Sequence, residues 1–403
     1  MGNYPILLVT LLLIGLLLIS DGRAGWLGSA LSLVYIIYHT IPSNYRKRVV
    51  FASGVVSFIF LITLSVFYKP ASSSGRMLIY KVSGRMLHDH WMTGLGAGQF
   101  WNKYNLYQSN YFWEKGIDST EALLADNTFY AFNDILQLLI EHGILSFTLL
   151  TSSLCYFLFH SKKVKSKSYS FVACFGGALC IGIGSLFFYP FHVIPLLFIM
   201  VYCLAVMNSQ LPYVIRFSAT IGKVCKAAFI CIGLLLTAHF YGETIYKMNS
   251  QYAAELAKAG FKNKALNKYR VLSTSYIKDG NSMLRYAREL YTSYKIQQSF
   301  DLLQQVKKYY PTNEVYRLSA TCAMELHLFK QAEEDYLTST YMVPNRVTSR
   351  FELFQYYLSI QDTIHAIFWG NSVLNMKIKV PSEATNRLQK KTFIDLKALK
   401  STS

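Results

Sequence analysis

Two stretches decide how this chain folds: GRMLIYKVSGRMLHDHWMTGLGAGQFWNKY at residues 75–104 and ADNTFYAFNDILQLLIEHG at residues 125–143. Both are hydrophilic and carry Arg, His, Asp and Glu, whereas the sequence on either side alternates apolar runs with short basic loops. Because charged side chains are costly inside a bilayer, such sequence belongs in water. We therefore expect a large polar loop, about residues 68–143, on one side of a membrane.

The composition supports a membrane protein, since 52% of the 403 residues are hydrophobic and only 15% are charged. A helix that crosses the hydrocarbon core needs about 20 mostly apolar residues. The segments that approach this length are Pro5–Ile19, Trp26–Ile41, Val49–Phe67, Ile144–Phe159, Tyr169–Phe187, His192–Met207 and Cys225–Tyr241. The sequence therefore predicts an all-α fold, with a polytopic bundle of about seven transmembrane spans in residues 1–243 and a helical-repeat domain in residues 244–403.

The basic residues predict the orientation. Arg46–Arg48, Lys162–Lys167 and Arg216–Lys226 lie in alternate short loops, whereas the turn Phe187–Pro190 has no charge. Short loops rich in Lys and Arg mark the cytoplasm. We expect a multi-pass protein of a bacterial inner membrane, with the polar loop and the C-terminal domain in the periplasm. These loops explain much of the net charge of +18, so no nucleic-acid partner is expected.

The C-terminal part contains a repeat. Small residues recur at Ala265, Ser299, Ala332 and Ala366, in steps of 34, 33 and 34 residues, and prolines follow at Pro311, Pro344 and Pro381. This is the period of tetratricopeptide repeats, in which a small residue lets paired helices approach and a proline ends the second helix. The pattern predicts a solenoid of tetratricopeptide type that braces the protein or binds a protein or glycan partner.

The hydrophilic loop carries a family resemblance. Gly75-Arg76, the run Gly94–Phe100 and the run Asn133–Gly143 resemble the outer loop of the O-antigen ligase and O-antigen polymerase superfamily. Asp21–Trp26, at the outer end of the first predicted span, is similar to that family's Ser-Arg-Ala turn. The resemblance covers about residues 20–150 and rests on several short motifs in the family's order.

The resemblance implies transfer of a glycan from a polyprenyl diphosphate carrier to an acceptor hydroxyl, without a metal or other cofactor. Ligation to a lipid A-core, polymerisation and transfer to a protein are all open. A diphosphate needs cations, and arginine suits because its planar fork binds two oxygens. The diphosphate candidates are Arg76, Arg23 and Arg85; Lys81 and Lys103 are weaker, and each arginine could instead anchor the chain at the membrane interface. The substrate-binding candidates of the loop motif are Gly94, Gly96, Gly98 and Asn133.

The sequence leaves open which residue acts as the general base. In the family a histidine commonly precedes the asparagine matched to Asn133, and here that position is Phe132, which cannot accept a proton. The catalytic candidates are His88, His90, Glu141 and Asp134. Asp126 is a further acidic alternative, although Asp126 and Asn127 could equally cap a helix from about Thr128. We expect no metal site at residues 88–90.

The length leaves the activity open. Family members usually have about twelve spans with the loop late in the chain, whereas three predicted spans precede it here, so the sequence resembles the second half of such a protein. The alternative to a glycan transferase is a noncatalytic, membrane-anchored repeat scaffold for envelope glycan assembly. A transporter is disfavoured because no charged residue lies in the middle of a predicted span.

Overall fold

A computed structural model describes residues 12, 15–17, 19–20, 22–41, 44–68, 70–161, 168–211, 219–276 and 279–402. Most of the first predicted span, Asp21, Lys162–Lys167 and Arg216 lie outside the described residues. All regular elements of the described part are helices, so the predicted all-α class is confirmed. The chain divides into two compact units: Met1–Phe100 with Phe129–Ile215, and Trp101–Thr128 with Arg216–Ser403.

We number the described α-helices in chain order. Those of the first unit are α1 Arg23–Thr40, α2 Asn44–Tyr68, α3 Pro70–His90, α5 Asp134–Ser161, α6 Tyr169–Gly184 and α7 Ile194–Asn208. Those of the second unit are α4 Phe100–Lys115, whose first residue still belongs to the first unit, α8 Ala219–Lys258, α9 Lys262–Ser273, α10 Gly280–Thr292, α11 Ile296–Val306, α12 Asn313–Glu325, α13 Phe329–Met342, α14 Val347–Ser359, α15 Thr363–Asn375 and α16 Glu383–Thr402. Short 3₁₀ helices cover Thr120–Leu124 and Pro190–His192.

Close helix packing organises the first unit around α1. A Cβ atom on Gly28 of α1 would lie 2.6 Å from the carbonyl oxygen of Cys180 in α6. One helical turn further along α1, Ser32 donates a hydrogen bond to the carbonyl of Gly176, at 2.7 Å. Small residues and hydroxyl bonds of this kind are what hold helices together in lipid, where no hydrophobic force drives them together.

Two of the described helices are long and apolar enough to cross a membrane: Asp134–Ser161, of 28 residues, and the 33-residue part Lys226–Lys258 of α8. Helices α6 and α7 are apolar but have 16 and 15 residues. The predicted spans from the second to the seventh overlap α1, α2, α5, α6, α7 and α8. Two described helices thus have the length and composition of membrane spans, and the count of seven stays a prediction.

The second unit is built from helical hairpins with a constant period. The end of α8 packs on α9, α10 on α11, α12 on α13 and α14 on α15, and α16 covers α15. The four small residues predicted to lie at helix contacts, Ala265, Ser299, Ala332 and Ala366, are all fully buried. Pro311 and Pro344 follow the second helix of their hairpins, as predicted.

The turn inside each hairpin repeats the same geometry. Gly260, Tyr294, His327 and Gln361 have φ between 58° and 86°, and they recur in steps of 34, 33 and 34 residues. After each one, a backbone N–H bonds back five residues, as in Lys295 N to Leu290 O at 3.0 Å. This is the Schellman ending, in which a left-handed residue closes a helix. Three of the four positions lack the glycine that usually adopts this conformation.

Residues 101–128, which we call the docked segment, pack on these hairpins. Asn105 Nδ2 donates to the carbonyl of Pro311 at 3.0 Å, and Gln108 Nε2 donates to that of Met342 at 2.7 Å. Part of the predicted polar loop therefore belongs to the same compact unit as the repeats. The predicted domain boundary at residue 243 was drawn from sequence alone and stays a prediction.

The predicted helix cap at Asp126 and Asn127 is wrong. The helix begins at Asp134, and its cap is Asn133, whose Oδ1 accepts from Leu136 N at 3.0 Å. Asn127 instead donates to Glu314 at 3.0 Å and accepts from Asn313 N at 3.1 Å. Asn127 thus hydrogen-bonds to the repeat hairpins, and the local sequence around it does not predict these distant contacts.

Candidate functional site

A pocket of about 450 Å³ in the first unit contains two of the predicted diphosphate ligands. We call it the arginine pocket. Its described lining consists of Arg23, Ala24, Leu27, Ser73, Arg76, Met77, Tyr80, Asn133, Leu186 and Phe187. The start of α1, the first half of α3 and the residue ahead of α5 thus bring Arg23, Arg76 and Asn133 to one cavity.

Both arginines are held in place by neighbours. The guanidinium of Arg23 is buried and donates to Ser72 Oγ at 2.8 Å and to Ser73 Oγ at 3.1 Å. One helical turn further along α3, Arg76 lies with its Cζ 5.6 Å from the centre of the Phe132 ring, a cation–π distance. Phe132, which occupies the position of the family histidine, therefore packs against a diphosphate candidate.

The electrostatics of the pocket favour an anion. Burial lowers the pKa of Arg76, and the positive charge of Arg23 lowers it further, although a guanidinium stays protonated at any physiological pH. Among the described lining residues there is no Asp or Glu. Placing two cations together away from water is unfavourable unless an opposite charge joins them. The pocket is therefore suited to a compact, doubly charged group.

A hydrogen-bonded network beside the pocket centres on His192. Its Nδ1 lies 3.0 Å from Asp134 Oδ1, and the other carboxylate oxygen, Oδ2, accepts from Phe191 N at 2.9 Å. Asp134 is buried, whereas the imidazole is about one-third exposed. His192 precedes the apolar helix α7 and so lies outside it. Asp134 therefore orients a histidine that a solvent-borne or membrane-borne reactant could reach.

The protonation of His192 follows from its partners. Gln137 Nε2 donates to Glu141 Oε1 at 3.1 Å and also lies 3.1 Å from His192 Nε2, while its Oε1 accepts from Ala131 N. An amide N–H can bond to Nε2 only where that nitrogen holds a lone pair, so the arrangement fits a neutral ring that donates from Nδ1 to Asp134. The Asp134 hydrogen bond raises the pKa of His192, burial opposes this, and the charges of Asp134 and Glu141 add to it.

Glu141, a predicted catalytic candidate, holds the glycine-rich loop. Its buried carboxylate accepts from Gly98 N at 2.9 Å and from Phe100 N at 3.2 Å. Its backbone carbonyl accepts from Gly96 N at 2.8 Å. These bonds also explain an acidic residue near the kink at Gly143, where the helix dipole alone would disfavour it.

The glycine motif lets two chain segments touch. Gly94 has φ +73°, and a Cβ there would lie 2.3 Å from the carbonyl oxygen of Glu141. Gly143 has φ +70°, and a Cβ there would lie 2.2 Å from the carbonyl oxygen of Met92. A side chain at either position would separate the loop from α5. Gly94, Gly96 and Gly98 are absent from the described lining of the arginine pocket, so their visible role is to shape the loop.

Other predicted residues, Arg85 among them, are absent from the described lining of the arginine pocket. His88 and His90 lie at the end of α3, where the His88 side chain is 89% exposed and contacts its neighbour Asp89. In the part of the chain that the structure describes, no group of three or more His, Cys, Asp or Glu residues could hold a metal.

His192 was missed by sequence reasoning because it was read as the first residue of an apolar span. A signal was present, because His192 is the one histidine in the uncharged turn Phe187–His192 and a buried carboxylate can orient an imidazole.

Residues 8–151 match the model of the O-antigen ligase family. The resemblance drawn from the loop motifs is confirmed over this range.

All the predicted site residues fall inside the O-antigen ligase match, whereas His192 falls beyond it. Among curated proteins, nothing matches the chain. Solved structures of MamA proteins match with TM-scores of 0.31 to 0.32. One is a fragment, from residue 41 to the end, from Desulfovibrio magneticus RS-1, with 12% identity, covering 39% of this chain and 96% of its own. Another is described as an RS-1 double mutant, with 12% identity, 39% and 95% coverage. A TM-score this low does not establish a shared fold.

Proposed function

We propose that the protein transfers a glycan from a polyprenyl diphosphate carrier to an acceptor hydroxyl at the outer face of a bacterial inner membrane. The O-antigen ligase match supports glycan transfer of this general type. The single observation that supports the carrier is the arginine pocket, where Arg23 and Arg76 line one cavity without a carboxylate among its described lining. The acceptor is a lipid A-core or a protein.

The arginines act on the leaving group. As the bond between the anomeric carbon and the carrier oxygen breaks, its electron pair stays with the diphosphate, whose negative charge increases. Two guanidinium groups fixed in a partly dry pocket stabilise this developing charge without having to reorganise. The hydroxyls of Ser72 and Ser73 fix the fork of Arg23, so that its position is set before the substrate arrives.

His192 takes the acceptor proton. The acceptor oxygen forms a bond to the anomeric carbon, and its proton passes to Nε2 of the neutral imidazole, which exchanges the amide of Gln137 for the acceptor hydroxyl. Asp134 then stabilises the imidazolium through the bond to Nδ1. This assignment supplies a base in a chain whose family histidine position is Phe132, and it uses Asp134, a predicted catalytic residue, to position the histidine.

The test is glycan transfer by full-length protein in proteoliposomes, with a polyprenyl diphosphate-linked glycan as donor. We expect Arg76→Ala to lower the rate by about 100-fold or more, as for loss of one charge-stabilising donor. Arg76→Lys keeps the charge but loses the planar fork, so its rate should lie in between. Arg387→Ala is the control because that side chain is 80% exposed on α16.

Equal rates for Arg76→Ala and the wild type, with equal amounts inserted, would refute the proposal. The noncatalytic scaffold remains the second candidate because Phe132 removes the family histidine. It predicts that the wild type transfers no glycan with any donor, while deletion of the protein still blocks glycan assembly in the envelope.

A further inference from the structure

The second unit contains a cavity of about 530 Å³ that holds none of the predicted site residues. One wall is residues 117–123 of the docked segment, and the opposite wall is formed by α15 and the residues that follow it. A volume in this range is typical of small-molecule sites. The cavity lies wholly within one compact unit, so its shape does not depend on the first unit.

One face of α15 lines the cavity. Phe368, Asn371, Ser372 and Asn375 follow the spacing i, i+3, i+4 and i+7, which places them on one side of the helix. Phe368 is 59% exposed, so much of its ring stays accessible beside the cavity. Asn371 and Asn375 add amide donors and acceptors further along the same face.

The wall formed by residues 117–123 is held by two side chains, the buried Arg350 and the partly buried Asn345. Arg350 donates to Ile117 O at 2.9 Å, to Asp118 Oδ1 at 2.8 Å and to Ser372 Oγ at 2.7 Å. Asn345 Nδ2 donates to Leu123 O at 2.9 Å and to Ala125 O at 2.7 Å. The wall is therefore formed before any ligand arrives, which reduces the ordering cost of binding.

The chemistry of the lining fits a ligand rich in hydroxyls. Arg350 pairs with Asp118, and Lys377 is the one further charged residue in the described lining, so the cavity lacks the paired arginines of the arginine pocket. Ser119 Oγ is buried at the wall and has no hydrogen-bond partner among the described residues. Amides and hydroxyls each donate and accept, as sugar hydroxyls do, and an exposed aromatic face covers the C–H face of a sugar ring.

We propose that this cavity binds a short oligosaccharide, as a subsite for the glycan of the donor or the acceptor. The class of ligand rests on the proposed glycan transfer, whereas the site itself rests on the cavity, the polar face of α15 and the fixed wall. The segment that belongs to the ligase-family match thus contributes residues 117–123 to a saccharide site completed by the repeat hairpins.

The experiment uses an array of short bacterial oligosaccharides, probed with fluorescently labelled full-length protein in detergent. The double variant Phe368→Ala/Asn375→Ala removes the ring and one amide. The matched control is Phe393→Ala/Asn386→Ala on α16, because Phe393 is 60% exposed and Asn386 is exposed, and neither lines the cavity. We expect the wild type and the control to bind the same oligosaccharides, and the cavity variant to lose at least about tenfold in affinity.

Equal binding by the two double variants, or no binding by the wild type, would overturn the inference. Arg76→Ala separates it from the proposed function. If transfer depends on Arg76 but the two double variants bind alike, only the saccharide site fails. If array binding depends on the cavity but transfer is indifferent to Arg76, the carrier proposal fails and the saccharide site stands.

Discussion

At the scale of single residues, the candidates from the loop motifs divide between the lining of the arginine pocket and the shaping of the glycine-rich loop. Arg23 and Arg76 reach one pocket, whereas Glu141 and Gly98 hydrogen-bond each other and shape the loop. The partner of the buried Asp134 is His192, 58 residues away. Asp134 directly follows the pocket residue Asn133, so the residue that orients the proposed base is next in sequence to a residue of the arginine pocket.

The pH dependence of transfer tests His192. Only the neutral imidazole can take a proton, so the rate should rise with pH through a value above the ordinary 6.5 of histidine, because Asp134 raises the pKa. Asp134→Asn removes the largest cause of that shift, so the rising limb should move to lower pH while the maximal rate falls. The measurement is kcat/KM against pH for the wild type and the variant.

His192→Ala should abolish that limb and lower the rate by about 100-fold or more. The control is His365→Ala, because that histidine is exposed and pairs with Asp362 in the second unit. A profile of His192→Ala that keeps the wild-type limb would show that another group titrates, and the proposed base would be wrong.

At the scale of elements, the contact between the glycine loop and α5 is a steric requirement. Gly94→Ala places a Cβ 2.3 Å from the Glu141 carbonyl at a φ of +73°, so we expect destabilisation of at least about 2 kcal/mol. Gly84→Ala, in the interior of α3 with nothing within 4 Å, should stabilise by about 0.5–1 kcal/mol. Thermal unfolding of the detergent-solubilised protein compares the two, and an equal shift in both would contradict the packing described here.

One buried side chain in α14, that of Arg350, anchors the end of the docked segment. Arg350→Ala leaves the carbonyls of Ile117 and Pro344 without their donor, so we expect a loss of about 1–3 kcal/mol and local release of the segment. Trypsin should then cut faster after Lys115, at the exposed end of α4. The neighbouring Arg346→Ala removes only a half-exposed pair with Asp126, so its cleavage rate should match that of the wild type. Equal cleavage of both variants would place the anchor elsewhere.

At the scale of the whole molecule, patterns that repeat along the chain were readable and unique pairings were not. The burial of Ala265, Ser299, Ala332 and Ala366 followed from their spacing, because a solenoid places equivalent residues in equivalent contacts. The left-handed turns at Tyr294, His327 and Gln361 share that period but were invisible, since none is glycine.

The packing of the docked segment on the hairpins was also not predicted from the sequence. It is held by single polar bonds such as Gln108 to Met342, 234 residues apart, and bonds of this kind leave no periodicity in a sequence. Arg23 and Arg76 were predicted because they lie in family motifs. His192, the partner of Asp134, lies outside the range that matches the family. The apolar runs are short for membrane spans, so the sequence predicts a number of spans but not the residues at which each one begins and ends.

The most direct test of the central claim measures lipid binding rather than turnover. Native mass spectrometry of the full-length protein would compare retention of a polyprenyl diphosphate with that of the corresponding polyprenyl monophosphate. The arginine pocket predicts tighter retention of the diphosphate by the wild type and loss of that preference in Arg76→Ala. Equal retention of the two lipids by the wild type, or an unchanged preference in Arg76→Ala, would contradict it.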